Sequence, residues 1–157
     1  MKKNSVILLL LSLQTANIFA MYSRTISSGS ALEATKLNNP DQLKHIQKAM
    51  PELLEETDVN GRTILHLATF LPKPPIAMFI LGQPELLHAL INKQDNANRT
   101  ALHNAALNGD TEMIKLLITA GAISTIPDIN NETARQLYEK QHKQRWPLLN
   151  CTTDTTN

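Results

Sequence analysis

A single cysteine, Cys151, stands in the 157 residues, so no internal disulfide can form. It sits in a polar tail of Thr, Asp and Asn, where no pocket is expected to lower its pKa and make it a nucleophile. Aromatic residues are only 4% of the chain, which leaves few stacking platforms for single-stranded nucleic acid. The formal net charge is +1, without the concentrated basic face that a nucleic acid or an anionic membrane requires. The five glycines form neither a phosphate-cradling loop nor a nucleophile elbow. Glu55-Glu56 adjoin a connecting turn and read as solvated surface, and His45, His88 and His142 show no metal-ligand spacing. No enzyme activity, catalytic residue, metal or cofactor is expected.

A hydrophobic content of 42% with 18% charged residues suits one folded domain. Its first 20 residues read as something else. Lys2 and Lys3 precede the apolar run Val6–Leu11, and Ala16 and Ala20 offer small residues for cleavage, the layout of a secretory signal peptide. The run is short for a membrane span of about 20 apolar residues. Cleavage after Ala20 predicts an exported chain, periplasmic or secreted, with no stable membrane span; a retained anchor over 6–20 is the alternative. Residues 21–30, rich in Ser and Thr, read as a linker.

The clearest pattern lies in Asp95–Ala122. Asp95 and Asn96 are turn residues, Asn98 tolerates a left-handed backbone, and Thr100 can cap a helix over Ala101–Ala106. Asn108-Gly109-Asp110 breaks that helix. Met113, Leu116, Leu117 and Ala120 then fall at helical spacing, and Gly121 ends the second helix. Asp58–His66 matches Asp95–His103 almost slot for slot, with Thr63 and Thr100 37 residues apart, and Asp128–Ala134 opens a third copy at Thr133, 33 further on. Gly61, Asn98 and Asn131 share the one slot that needs positive φ.

On Thr63-Ile64-Leu65-His66, Thr100-Ala101-Leu102-His103, the Asn108-Gly109-Asp110 corner and the Leu116-Leu117…Gly121-Ala122 ending, the chain resembles the ankyrin-repeat family. Both four-residue motifs lack the family's proline, and the last copy reads Thr133-Ala134-Arg135-Gln136, as a polar terminal cap would. The resemblance implies an all-α solenoid of about four helix-turn-helix repeats, with degenerate first and last caps. It also implies that His66 and His103 bond to the motif threonine and the neighbouring turn, a structural role.

Projecting the repeat backwards by 70 residues places Leu43 with Met113 and predicts a degenerate first helix pair over 31–38 and 40–49. The repeats then run about 31–57, 58–94, 95–127 and 128–146, together the domain 31–146, followed by a disordered tail 147–157. The second repeat is irregular: His66 to Gly82 spans 16 positions where His103 to Gly109 spans 6. The insertion, 71–81, carries three prolines and an apolar run. Two readings stand for Ile76, Met78, Phe79 and Ile80: an exposed anchor for a partner, or a cover folded over the helix pair. The last helix is expected over Thr133–Arg145, stopped by Pro147, with Trp146, Leu148 and Leu149 tucked against it.

Stacked repeats leave turn tips and inner helices along one rigid face. The candidates for binding a protein partner are Val59, Asn60, Arg62 and Phe70, then Asn96, Ala97, Arg99, Leu107 and Asn108, then Ile129, Asn130 and Glu132. Arg62, Arg99 and Phe70 are the expected hot spots. The chain is expected to be a monomer that binds a protein, not nucleic acid.

Overall fold

The helix starts follow from side chains that satisfy the free N–H groups of a first turn. Ser30 Oγ accepts from Glu33 N (3.2 Å), Asn39 Oδ1 from Gln42 N (3.1 Å) and Asp110 Oδ1 from Met113 N (2.9 Å). In the computed structural model, which describes residues 30–71 and 75–147, they open α1 (Ala31–Lys36), α2 (Pro40–Ala49) and α7 (Thr111–Thr119). Thr63, Thr100 and Thr133 do the same for α3 (Ile64–Ala68), α6 (Ala101–Asn108) and α8 (Ala134–His142). A 3-10 helix, Pro51–Glu55, and the two helices α4 (Pro75–Leu81) and α5 (Pro84–Leu90) complete the set. Among the described residues there is no strand, only an isolated antiparallel bridge between Pro127 and Thr133. None of the helices described is long and apolar enough to cross a membrane. The expected leader 1–20 and residues 148–157, with Leu148, Leu149 and Cys151, lie outside the described residues.

The helices stack in two layers. α1 meets α3, α3 meets α6 and α6 meets α8, forming an inner row; α2 lies behind α1 and α7 behind α6. This is the solenoid that the repeat spacing predicts. Between the layers, Leu43 of α2, Ile64 and Leu65 of α3, Leu102 of α6 and Ile114 and Leu117 of α7 are fully buried. Each such side chain stabilises the fold by about 1.5–3 kcal/mol. No one repeat could bury this stripe by itself, so the neighbours supply each other's core.

The structure decides between the two readings of the insertion and corrects one expectation. The run after the prolines is α4, and Ile76, Ala77 and Ile80, spaced one and four apart on one helix face, are wholly buried against α2, α3 and α5. Ile76 and Ile80 therefore belong to the core and cannot anchor a partner. Phe79 is half-buried and only Met78 faces outward. The last helix also stops earlier than expected, at His142, because Lys143 takes a left-handed conformation (φ 52°) while its N–H still bonds Glu139 O. Pro147 is not what ends it. Trp146 is buried as expected, edge-on to Tyr138.

Candidate functional site

Three aspartates build three equivalent turns. Oδ1 of Asp58 accepts from the N–H of Asn60 and Arg62, both at 2.9 Å. Asp95 does so from Ala97 (2.8 Å) and Arg99 (2.9 Å), and Asp128 from Asn130 (2.8 Å) and Glu132 (3.0 Å). In each turn the aspartate N–H donates to the carbonyl four residues on. The fourth residue must adopt positive φ to close the turn, and Gly61 (75°), Asn98 (56°) and Asn131 (60°) all do.

The turns are also tied edge to edge. Asn96 N–H donates to Asn60 O (2.9 Å) and Ile129 N–H to Ala97 O (3.0 Å). Asn96 Nδ2 adds a bond to Val59 O (3.2 Å). At Gly61 the approach is so close that an added Cβ would lie 2.5 Å from Asn96 Oδ1. The tips thus form one continuous ribbon whose polar backbone is largely satisfied internally. Its side chains are left for solvent: Val59 is 93% exposed, Ile129 65%, and Asn60, Asn96 and Asn130 are exposed between them.

Beneath the ribbon, the histidines of the repeated motif join the layers. His66 Nδ1 meets Thr63 N–H (3.2 Å) and Thr63 Oγ1 (2.9 Å), while its Nε2 lies 2.9 Å from Arg99 O in the next turn. His103 Nδ1 bonds Thr100 in the same way. Its Nε2 faces the Ile126 and Glu132 carbonyls without a bond of normal geometry. Burial is the main reason both imidazoles titrate below the usual histidine value, outweighing the pull of Asp95 on His66 and of Asp128 on His103. For Asp58 and Asp128, burial alone would raise the carboxyl. The bonds from the Arg62 side chain to Asp58 and from the backbone N–H groups and Arg99 to Asp128 hold both below the usual carboxylate range.

The chain belongs to the ankyrin-repeat family. The sequence model of the family described as ankyrin repeats (many copies) matches residues 76–118. The rat ankyrin repeat and SAM domain-containing protein 6 is 31% identical over 105 residues, covering 66% of this chain and 11% of that protein. Mouse NF-kappa-B inhibitor alpha is 30% identical over 78 residues, covering 50% and 25%. The transcription factor MBP1 of Saccharomyces cerevisiae is 36% identical over 108 residues, covering 59% and 13%. The chain therefore spans a quarter or less of the length of each of these relatives. Ankyrin repeats are protein-interaction modules, and the exposed tips of this chain are consistent with that role.

The ankyrin frame sorts the sequence-predicted residues. Val59, Asn60, Asn96, Asn130 and Ile129 come together on the ribbon, with Ala97 half-buried among them. Arg62 and Arg99 are half-buried and engaged: Arg62 Nη2 lies 2.7 Å from Asp58 Oδ2, and Arg99 Nε 3.5 Å from Asp128 Oδ2. Glu132 pairs with Lys140 (2.7 Å). Their charges hold the turns. Phe70 and Leu107 share a slot at the far ends of the inner helices, and Phe70 is half exposed. Asn108 ties that end together, its Nδ2 donating to Thr69 O (3.0 Å).

Two residues escaped the sequence reading. Leu37, 66% exposed, precedes Leu107 by 70 residues and occupies the slot of Phe70 and Leu107; the same offset that aligned Leu43 with Met113 would have found it. His142 Nε2 lies 3.0 Å from Ala106 O, where it closes the last interface. No local signal marks it. Away from the ribbon, a cleft of about 340 Å³ lies between α2, the 3-10 helix and α5, lined by Gln47, Leu54, Gln83 and Pro84 among others. It gathers no nucleophile–base pair. Among the described residues no group of His, Cys, Asp and Glu could hold a metal ion.

Proposed function

We propose that this chain is an exported, non-enzymatic module that grips a protein partner along its tip ribbon and the open ends of its inner helices. The observation that supports this reading most is the row Val59, Asn60, Asn96, Asn130 and Ile129. It is uncharged, exposed, and fixed on turns bonded both internally and to one another. Such a surface loses little entropy on docking. Phe70, with Leu37 and Leu107 in equivalent slots, supplies the apolar anchor. The guanidinium groups of Arg62 and Arg99 act mainly by keeping the ribbon in shape. The reading includes a monomer and no nucleic-acid partner.

The test is site-specific photocrosslinking in the native cell. A photoreactive side chain placed at Val59 or Ile129 should capture the same protein, whereas one at His88, on the exposed side of α5, should not. Capture from His88 alone would move the binding face to the other side.

Export rests on Lys2-Lys3, the run Val6–Leu11 and the small residues at Ala16 and Ala20. The second reading, an accessory protein tethered by residues 6–20, rests on the same run left uncleaved. N-terminal sequencing of the mature product separates the two. A start at or near Met21 supports export, and a start at Met1 supports the tether.

A further inference from the structure

The two middle repeats carry a device that the outer two lack. A backbone N–H can only donate, so the bond from Thr63 N to His66 Nδ1 requires that nitrogen to be bare. The single proton of the neutral ring then sits on Nε2 and is given to Arg99 O, 2.9 Å away in the next turn. Both nitrogens are committed, and a second proton at Nδ1 would point straight at the Thr63 N–H. His103 Nδ1 is placed in the same way, with Thr100 N at 3.1 Å and Thr100 Oγ1 at 2.9 Å, but its Nε2 makes no such bond to the next turn. The fourth repeat keeps the box but not the titration: Gln136 Oε1 accepts from Thr133 N (2.8 Å) and Thr133 Oγ1 (3.1 Å). In the first repeat the equivalent slot holds exposed Glu33.

We propose that His66 and His103 are acid-release latches on the binding ribbon. When neutral they cap α3 and α6, and His66 also bonds the following tip through Arg99 O; when protonated at Nδ1 they break the caps and loosen the tips that present Asn96 and Ile129. This regulates the face described above and rests on that reading. The acids facing the rings are Asp58 and Asp95 at His66 and Asp128 at His103, and the cations are Arg62 and Arg99 respectively. Burial outweighs those acids and keeps both rings below the ordinary value of 6.5, so the latches are shut at neutral pH. A base whose pKa is lowered by folding binds fewer protons folded than unfolded. Its contribution is therefore complete above 6.5 and is lost as the pH falls.

The test uses the full chain with His66→Gln, His103→Gln and the double variant, since Gln136 shows that glutamine makes the same cap without titrating. Urea unfolding is followed at pH 7.5, 6.5 and 5.5 by Trp146 fluorescence and far-UV circular dichroism. The wild-type folding constant should fall up to tenfold per pH unit for each histidine below its unfolded value, and the double variant should lose that slope. His45, His88 and His142 are common to both proteins and cancel in the comparison. A flat wild-type profile, or a double variant that keeps the wild-type slope, overturns the proposal. Should the variants fail to fold, amide exchange in the wild type decides. Selective loss of protection at the Asn96 and Ile129 N–H groups on acidification supports the latch, and unchanged protection overturns it. No partner enters these measurements, so the latch and the binding face fail separately.

Discussion

The second and third repeats start from the same turn and end in different architectures. Asp95–Arg99 leads through the Thr100 cap into the eight-residue α6, a left-handed Gly109 corner and α7. Asp58–Arg62 leads through the same cap into α3, which stops after five residues; α4 and α5 follow, and the corner at Gly82 is not left-handed. The third repeat is held by local signals throughout. The second spends its local signals in the first nine residues and is completed by burial, with Ile76 and Ile80 filling the space beside α2 and α3. A repeat tolerates an insertion when the inserted chain brings its own apolar face.

The comparison is most exposed to a cut in that face. Ile80→Ala should destabilise by about 2–5 kcal/mol in urea unfolding, as much as Leu117→Ala in the regular repeat. Met78→Ala, two residues earlier but outward-facing, should stay within about 0.5 kcal/mol. An Ile80→Ala change as mild as that at Met78 would mean that α4 is a surface appendage.

Next in size is the turn slot where the repeats use different residues. Gly61→Ala combines positive φ with a Cβ 2.5 Å from Asn96 Oδ1 and should cost about 1–3 kcal/mol. Asn98→Gly keeps the conformation and should change stability by under about 1 kcal/mol. Equal effects would show that strain and close approach at Gly61 are relieved in solution.

Smaller still is the bond that joins the two repeats at their far ends. Asn108→Ala removes the link to Thr69 O and should cost about 0.5–1.5 kcal/mol. The smallest effect belongs to Arg62→Ala, which removes a half-exposed pair within one turn and should cost no more than about 1 kcal/mol, less at high salt. The aspartate partners add a separate acid limit. The Asp58 and Asp128 carboxyls are held below 3.8, so the stability they contribute is complete above that pH and is lost below it. Substituting either by Asn should flatten the acid limb of a thermal-unfolding profile taken from pH 5 to pH 2.

Much of the tip ribbon was legible because a tip is a local object. An Asx turn, one residue with positive φ and a Thr cap all arise within six residues, so Gly61, Asn98 and Asn131 could be aligned by eye. Arg62 and Arg99 show where that kind of reading stops. Their place in the turn was visible, but the carboxylate each one faces was not, since Arg99 pairs with an aspartate 29 residues away in the next tip. The two readings of Ile76, Met78, Phe79 and Ile80 stayed open for a similar reason: a six-residue apolar run looks the same whether it faces solvent or core.

The sequence by itself determined where each repeat begins, which residue bends each tip and which threonine caps each inner helix, because these depend on backbone preferences spanning a few residues. Only the tertiary structure decided that Ile76 and Ile80 turn inward, that His142 closes the last interface and that Arg99 is held by the carboxylate of the next turn. Those outcomes depend on which surfaces the stacked helices leave uncovered, and neighbours along the chain carry no record of that.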